Sequence, residues 1–245
     1  MKRPFLTAEW RHLAMVNYEV DPAILTPLTP RGTELDFWNG KTFLSLVAFR
    51  FLNTRVMGVP IPFHRNFEEV NLRFYVRRKA SDGWRRGVVF IKEFVPRRAV
   101  ALVARWFYNE NYVTCRTKSD VRLPESGSGI PGSLEYAWNT ARSHNFIRAT
   151  ISGEPRISES GSEEEFIAEH YWGYTRQRDG GSIEYAVEHP KWKLWNATSF
   201  QVDCQVEPCY GAEYCKPLSA APSSVFVADG SPVAVFRGAL VSDFA

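Results

Sequence analysis

Residues 67–112, FEEVNLRFYVRRKASDGWRRGVVFIKEFVPRRAVALVARWFYNENY, decide the fold of this chain. Apolar and polar side chains alternate over residues 67–77, and this period of two is typical of a β-strand with two different faces. Asp82-Gly83 predicts a turn, and residues 87–95 predict the returning strand. Pro96 then predicts the start of a helix, because the first helical turn needs no backbone N–H from that residue.

The two faces of the first predicted strand differ in composition. One face consists of Val70, Leu72, Phe74 and Val76, and the other consists of Glu69, Asn71, Arg73, Tyr75 and Arg77. Because sheets ordinarily keep one face in water, the second set predicts a solvated surface. The same polar groups also fit the lining of a pocket, so both interpretations stay open. On the second interpretation, Glu69, Asn71 and Arg73 are candidate ligand-binding residues.

The predicted helix after Pro96 begins with two arginines. Residues 99–104 are apolar on every side, which predicts a buried helix. Arg97 and Arg98 would then lie near the positive end of the helix dipole, where cations are disfavoured. Glu93, Glu69 or a bound anion would compensate them. We expect an internal carboxylate beside one arginine, and the other is a candidate for binding a ligand.

Several motifs in this stretch carry a resemblance to a known family. EEVNLRFYV, GVVFIKEFVPRRA and ARWFYNENY, together with NYEVDP (residues 17–22) and ELDFWNGKTFLSLVAF (residues 34–49), resemble the YqjF-like family of uncharacterised bacterial proteins, domain of unknown function 2071. The motifs occur in order and cover most of the chain. The resemblance implies one YqjF-like domain over residues 1–245 with an acetoacetate decarboxylase-like fold. That fold is mainly β (α+β), an antiparallel barrel or cone around a pocket, with two or three short helices.

The resemblance does not imply the decarboxylase reaction. A Schiff-base decarboxylase needs a lysine that is a free amine at neutral pH, and in acetoacetate decarboxylases it follows a G-R-E…G-x-P-K-K pattern. Ala104-Arg105 matches the G-R, and residues 108–113 cover the P-K-K end without a lysine. Lys92 and Lys118 lie outside the pattern. We therefore predict that imine chemistry is absent.

The polar residues left in that region have two interpretations. A carboxylate, an arginine and two phenols near a buried helix end fit a site for a polar or anionic small molecule. They fit equally a structural network, because buried polar groups must find partners. The ligand-binding candidates are Glu69, Asn71, Arg73, Arg97, Arg105, Tyr108 and Tyr112, and the catalytic candidate is Glu110.

The rest of the chain favours a β-rich fold. Strands are predicted at residues 12–20, 33–38, 41–53, 113–121, 133–142, 145–152, 170–178, 182–188, 192–205, 225–227 and 233–236. Short helices are predicted at residues 8–11, after Asp21-Pro22, and from Ser162, where Glu165 completes a capping box. A cysteine- and tyrosine-containing loop follows residue 205. Residues 124–132 are the clearest loop and the place for a seam between two halves. Such regular short strands predict an antiparallel barrel or sandwich.

Composition excludes several classes of function. A net charge of +3 with scattered arginines gives no reason to expect nucleic acid or a membrane surface as a partner. No apolar run reaches transmembrane length and the start lacks a signal-peptide core, so we expect a cytoplasmic protein. No dinucleotide or phosphate-loop glycine pattern is present, and we expect no cofactor. The sequence leaves an oligomer open.

The histidines and cysteines do not predict a metal site. Five histidines show no ligand spacing, and four cysteines show no C-x-x-C pair. His64 follows a proline-interrupted loop, where a surface position or a pocket position is compatible with the sequence. Cys209 and Cys215 are close enough in sequence for a disulfide, but free thiols are the default in a reducing compartment.

Two functions follow from the sequence. The first is a pocket for a polar or anionic small molecule, enzymatic or not, without lysine chemistry. The second is a structural or protein-interaction barrel whose interior is filled. A cavity lined by the polar face of residues 67–77 favours the first, and a packed interior favours the second.

Overall fold

Seven strands pair into a closed ring in the computed structural model, which describes residues 3–96, 111–141 and 143–241. In ring order they are β1 (Leu6–Val20), β3 (Thr42–Val56), β5 (Phe67–Ala80), β6 (Gly83–Val95), β12 (Trp172–Arg176), β13 (Ser182–Glu188) and β15 (Ser224–Val235). The pairing of Val187 with Val235 closes the ring. Every other pair of neighbouring strands in this order is hydrogen-bonded as well. The predicted mainly β fold is confirmed.

A second layer of strands covers one side of the ring. It consists of β8 (Arg116–Arg122), β9 (Gly132–Asn139), β10 (His144–Ile151) and β14 (Lys193–Asp203). The first residues of β14 pair with β15 and so join this layer to the ring. The five remaining strands are two or three residues long: β2 (Glu34–Leu35), β4 (Val59–Pro60), β7 (Tyr112–Thr114), β11 (Arg156–Ile157) and β16 (Ala239–Leu240).

The ring strands bury both faces, and alternate residues serve two different cores. In β3 and β5, Leu46 and Leu72 belong to the core between the ring and the second layer. Their neighbours of opposite parity, Val47 and Tyr75, belong to the core inside the ring. A period of two therefore persists in these strands although neither face is wet.

The helices are few and short, as predicted. Those in the described part of the chain are α1 (Pro22–Leu25), α2 (Glu163–Ala168), α3 (Val206–Tyr210) and α4 (Cys215–Leu218), with 3₁₀ turns at Thr26–Leu28 and Ala212–Tyr214. Asp21 caps α1, and Ser162 caps α2 by accepting the N–H of Glu165, which confirms both predicted caps. Phe166 and Ile167 of α2 pack into the core inside the ring.

The structure corrects several predicted boundaries. Residues 8–11 are part of β1 and not a helix, because β1 pairs with β3 and β15 from its first residue. The hairpin predicted across Asp229-Gly230 is one strand, β15, which keeps a single register with β1 on both sides of Gly230. The backbone at Gly230 has φ of +82° and bends the strand without reversing it.

Other boundaries shift for local reasons. The strand predicted at residues 33–38 is reduced to β2, although Asn39-Gly40 does make the predicted tight turn between Trp38 and Lys41. The strand predicted at residues 113–121 is divided at Cys115 into β7 and β8. The loop predicted after residue 205 contains α3 and α4. Two pairings, β6 with β12 and β6 with β7, are parallel within the otherwise antiparallel set described.

Some predictions are not tested. The helix predicted after Pro96 lies outside the described residues. Residues 124–131 fall in the connection between β8 and β9, which pair with each other, and Gly132 begins β9. The role of residues 124–132 as a seam stays a prediction. Among the described residues, no helix has the length and apolar character needed to cross a membrane.

Candidate functional site

A cavity of about 280 Å³ lies inside the ring. Every ring strand contributes to its wall, in ring order through Leu13, Phe49, Arg73, Phe90, Trp172, Tyr185 and Val235. Ala168 and His170 line it from α2 and the segment that follows, and Ile61 and His64 line it from the loop between β4 and β5. The interior of the ring is therefore not completely filled by side chains.

Aromatic rings form a large part of the cavity wall. Trp10 packs edge-on against Phe49 and Phe51, at centroid distances of 5.5 and 5.7 Å. His189 stacks on Trp192 at 4.2 Å, and Trp10 meets Trp192 at 6.4 Å. Such a surface favours a planar or apolar group, since aromatic rings provide a large contact area with two fixed faces.

One side of the cavity is polar, and β5 supplies it. Glu69, Asn71 and Arg73 face the cavity from alternate positions of this strand. Glu69 Oε1 accepts from Asn71 Nδ2 at 3.0 Å, and its Oε2 accepts from the Tyr112 hydroxyl at 3.4 Å. Burial raises the pKa of Glu69 to about 7, although the Asn71 and Tyr112 hydrogen bonds and the charge of Arg73 lower it. Near neutral pH, Glu69 can therefore donate or accept a proton.

Arg73 is a buried cation that acts on the charge of Glu69, but no carboxylate oxygen in the part of the chain that the structure describes lies within 4.0 Å of its guanidinium. The residue is 8% exposed. Its Nη2 donates to the Ile167 carbonyl at 3.4 Å, and its Nε has no hydrogen-bond partner among the described residues. The described ion pairs within 4.0 Å do not include this guanidinium. Burying an unpaired charge is costly, so this position favours a bound anion.

Further buried polar atoms beside the cavity lack a described partner. They are Trp10 Nε1, Thr54 Oγ1 and Asn71 Oδ1, each from a residue that lines the cavity. Buried polar atoms without partners are few in native proteins and call for an explanation, such as a ligand or an ordered water molecule. Together with Arg73, they give the cavity both donors and acceptors.

His170 and His189 line the cavity as neutral groups. Burial lowers the pKa of His170 well below its usual range, and the charges of Arg86 and Arg73 lower it further. Asp36 holds Arg86 through a 2.6 Å ion pair and lies 3.9 Å from His170 Nε2. Burial also lowers the pKa of His189. Neither imidazole therefore competes with Arg73 as a cation near pH 7.

The structure brings together four of the predicted site residues. Glu69, Asn71, Arg73 and Tyr112 all line the cavity inside the ring. Ligand binding by these residues stays a prediction. The other candidates, Arg97, Arg105, Tyr108 and Glu110, lie outside the described residues, as does Arg98.

Sequence reasoning missed part of the cavity wall. His170, His189 and Trp10 come from distant segments and have no common spacing in the sequence. Glu93, considered only as a partner for the arginines, also lines the cavity and is 1% exposed. No cluster of three or more histidine, cysteine or acidic side chains in the described ranges has the geometry to hold a metal ion.

Comparison with known sequences identifies a matching family model and a relative. Residues 7–232 match the model of the DUF2071 family, described as "Uncharacterized conserved protein". The chain is 30% identical over 189 residues to the uncharacterized protein YqjF of Bacillus subtilis (strain 168). The aligned region covers 77% of this chain and 74% of the relative. The resemblance detected in the motifs is confirmed.

Comparison with solved structures gives the fold. Acetoacetate decarboxylase from Legionella pneumophila superposes with a TM-score of 0.65 at 14% identity, covering 99% of this chain and 89% of the other. The enduracididine biosynthesis enzyme MppR complexed with pyruvate has a TM-score of 0.65 at 12% identity, covering 100% of this chain and 93% of the other. An acetoacetate decarboxylase-like enzyme from Sphingomonas wittichii RW1 has a TM-score of 0.63 at 12% identity, with coverages of 98% and 94%. Identities this low establish a common fold and no common activity.

Proposed function

We propose that this chain, which belongs to the DUF2071 family and has an acetoacetate decarboxylase-like fold, binds a small carboxylate or similar anion in the cavity inside its ring. The observation that carries the proposal is Arg73, a buried guanidinium that lines the cavity without a described carboxylate partner. An anion in the cavity would supply the missing charge and accept from Nε. Planar guanidinium groups are well suited to carboxylates because two parallel N–H donors match two oxygens.

The cavity also limits the size and character of the ligand. Its volume of about 280 Å³ is at the lower end of ligand pockets, which begin near roughly 300 Å³. Trp10, Trp192 and Phe49 form an aromatic part of the cavity wall. A molecule with one anionic head at Arg73 and a compact apolar or aromatic body fits both features. The pyruvate in the structural neighbour MppR is a carboxylate of this small kind.

Chemistry at this site would not use a lysine imine. Lys92 donates to the Cys209 carbonyl oxygen on the side of β6 away from the cavity, and Lys118 is exposed on β8. Neither belongs to the described cavity wall, and residues 97–110 contain no lysine in their sequence. If the protein is an enzyme, Glu69 is a candidate acid or base in the cavity wall, and Glu110 remains a candidate from the sequence.

Titration of tryptophan fluorescence tests the proposal, because Trp10, Trp172 and Trp192 line the cavity. The ligands are small carboxylic acids with hydrogen, methyl, branched or phenyl bodies, pyruvate, and the neutral amide of each acid. We expect saturable binding of at least one acid and at least ten-fold weaker binding of its amide. Arg73→Met should lose at least ten-fold in affinity.

Arg77→Met is the matched control. Arg77 lies on the same strand, is partly exposed, and is paired with Glu34 at 2.7 Å. This variant should bind like the wild type. Binding that Arg73→Met does not weaken would place the anion elsewhere. If no acid binds, the alternative of a structural or protein-interaction domain is favoured.

A further inference from the structure

Three large apolar side chains project into water where β3 turns into β4 and in the loop that follows. Met57, Val59 and Phe63 form this apolar tip, and they are 64%, 64% and 87% exposed. A single exposed apolar side chain is ordinary on a protein surface. Three of them on one projection indicate a surface that binds something apolar.

The residues of the apolar tip are not those that its backbone favours. Val56 pairs with Val59 across the two-residue turn Met57-Gly58, where φ is +51° and +82°. Such hairpin turns favour asparagine or aspartate before the glycine, because bulky side chains rarely adopt a left-handed conformation. Phe63 also has a positive φ, of +62°. Two bulky apolar residues thus hold strained backbone positions while exposed, which favours a role in binding rather than in the fold.

The surroundings of the apolar tip are positively charged. Arg55 donates to a carbonyl oxygen of the turn at 3.4 Å, and Arg237 Nη2 lies 3.6 Å from the Met57 sulfur. Arg65 follows in the same loop, and all three arginines are exposed. Among the described residues, the ion pairs within 4.0 Å include none of these guanidinium groups. Residues 54–67 contain no aspartate or glutamate.

A carboxylate near the base of this hairpin does not cancel that charge. Asn53 Nδ2 donates to Glu9 at 2.8 Å, but Glu9 is already paired with Arg11 at 2.9 Å. The arginines are scattered in the sequence and gave no reason to expect a membrane partner. The fold gathers three of them around exposed apolar side chains, so the apolar tip is a cationic surface as well.

From this combination we propose that the apolar tip enters the surface of an anionic lipid bilayer and anchors the protein to it reversibly. Its side chains lie among the upper acyl chains, and Arg55, Arg65 and Arg237 lie among negative headgroups. Charge complementarity favours this partner, and projecting side chains enter lipid without needing a groove of matching shape. Met57 and Phe63 are absent from the described cavity wall, so this inference is independent of the ligand proposed above.

Sedimentation of the full-length protein with lipid vesicles tests this proposal. We expect binding to vesicles of phosphatidylcholine mixed with phosphatidylglycerol, much weaker binding to phosphatidylcholine alone, and a decrease when salt is added. Phe63→Asn should weaken the binding by about ten-fold or more, because it removes a phenyl ring that lipid would bury. Arg65→Gln should weaken it by about five-fold, the usual effect of one arginine at an anionic membrane.

Stability measurements separate binding from folding in these variants. Asparagine adopts a positive φ more readily than methionine or phenylalanine. Met57→Asn and Phe63→Asn should therefore be at least as stable as the wild type in urea while both bind vesicles less. The matched controls are Phe200→Ser and Arg122→Gln, which change exposed residues of the second layer. Both should bind vesicles like the wild type.

Three results would overturn the proposal. The first is wild-type protein that remains in the supernatant with the anionic vesicles at low salt. The second is binding to these vesicles that Phe63→Asn leaves unchanged. The third comes from sedimentation velocity without lipid: a wild-type oligomer that Phe63→Asn dissociates would show that a second copy of the chain covers the apolar tip.

Discussion

Replacing Glu69 with glutamine should change how the stability of the fold depends on pH. Burial raises the pKa of Glu69 from 4.5 to about 7. The folded protein therefore keeps this proton up to near-neutral pH, while the unfolded chain releases it above the ordinary pKa of a glutamate. Glutamine has nearly the same shape and no proton to lose, and its one side-chain oxygen can keep the hydrogen bond from either Asn71 or Tyr112.

The sign and the size of the effect follow from proton binding. Between the two pKa values the folded state binds more protons than the unfolded state, so the stability of the wild type falls as the pH rises through this window. Each pH unit costs about 1.4 kcal/mol, so the window from 4.5 to about 7 corresponds to roughly 3 kcal/mol. The free energy of unfolding of Glu69→Gln, relative to the wild type, should therefore rise by roughly 2–3 kcal/mol from about pH 5 to about pH 8.5.

Urea unfolding followed by tryptophan fluorescence at several pH values measures this difference, with no added ligand. Glu9→Gln is the control, because hydrogen bonds from Asn53 and Arg11 lower the pKa of Glu9. Above about pH 5.5, Glu9 is ionised in both states, so its variant should differ from the wild type by a constant amount. A constant difference for Glu69→Gln over the same range would refute the argument, because it would mean that Glu69 ionises as easily inside the ring as in water.

Three further experiments have expected outcomes. Gly173→Ala should destabilise the fold by about 2 kcal/mol or more, measured by urea unfolding, because the new Cβ would lie 2.1 Å from the Tyr185 ring. Ser162→Ala should cost about 1 kcal/mol by the same measurement, because it removes the side-chain cap of α2, and Ser162→Asp should restore most of the loss. Borohydride treatment in the presence of a β-keto acid should give no adduct at Lys92 or Lys118 by mass spectrometry; a stable adduct at either would contradict the absence of imine chemistry.

The sequence was sufficient for the local elements of the fold. Alternation over residues 67–77 predicted β5, and the caps at Asp21 and Ser162 predicted the starts of α1 and α2. These signals are local, since each depends on a few neighbouring residues. Residues 225–236 are a stretch where the local signal gave a wrong prediction. Asp229-Gly230 has the composition of a hairpin turn, and only pairing with β1, more than 200 residues away, keeps β15 in one piece.

The candidate site could be predicted only in part, for a related reason. A polar face that lines a cavity and a polar face in water have the same alternation, so Glu69, Asn71 and Arg73 were compatible with both. The adjacent residues Glu68 and Glu69 lie on opposite faces of β5. Glu68 is on the outer side of the ring, where Thr117 and Ser119 of β8 donate to it at 3.1 and 2.9 Å, while Glu69 is inside beside Asn71.

What makes the inner face of β5 a cavity wall is the closure of the ring by β13 and β15. Their contact consists of two residue pairs, Val187 with Val235 and Glu188 with Ala234. No local pattern around these residues indicates that they meet. When these strands pair, Arg73 is buried inside the ring. A buried guanidinium without a carboxylate nearby is costly, whereas the same group on the surface is not, so the burial favours a bound anion. The function proposed for this chain therefore depends on long-range pairing more than on any motif in its sequence.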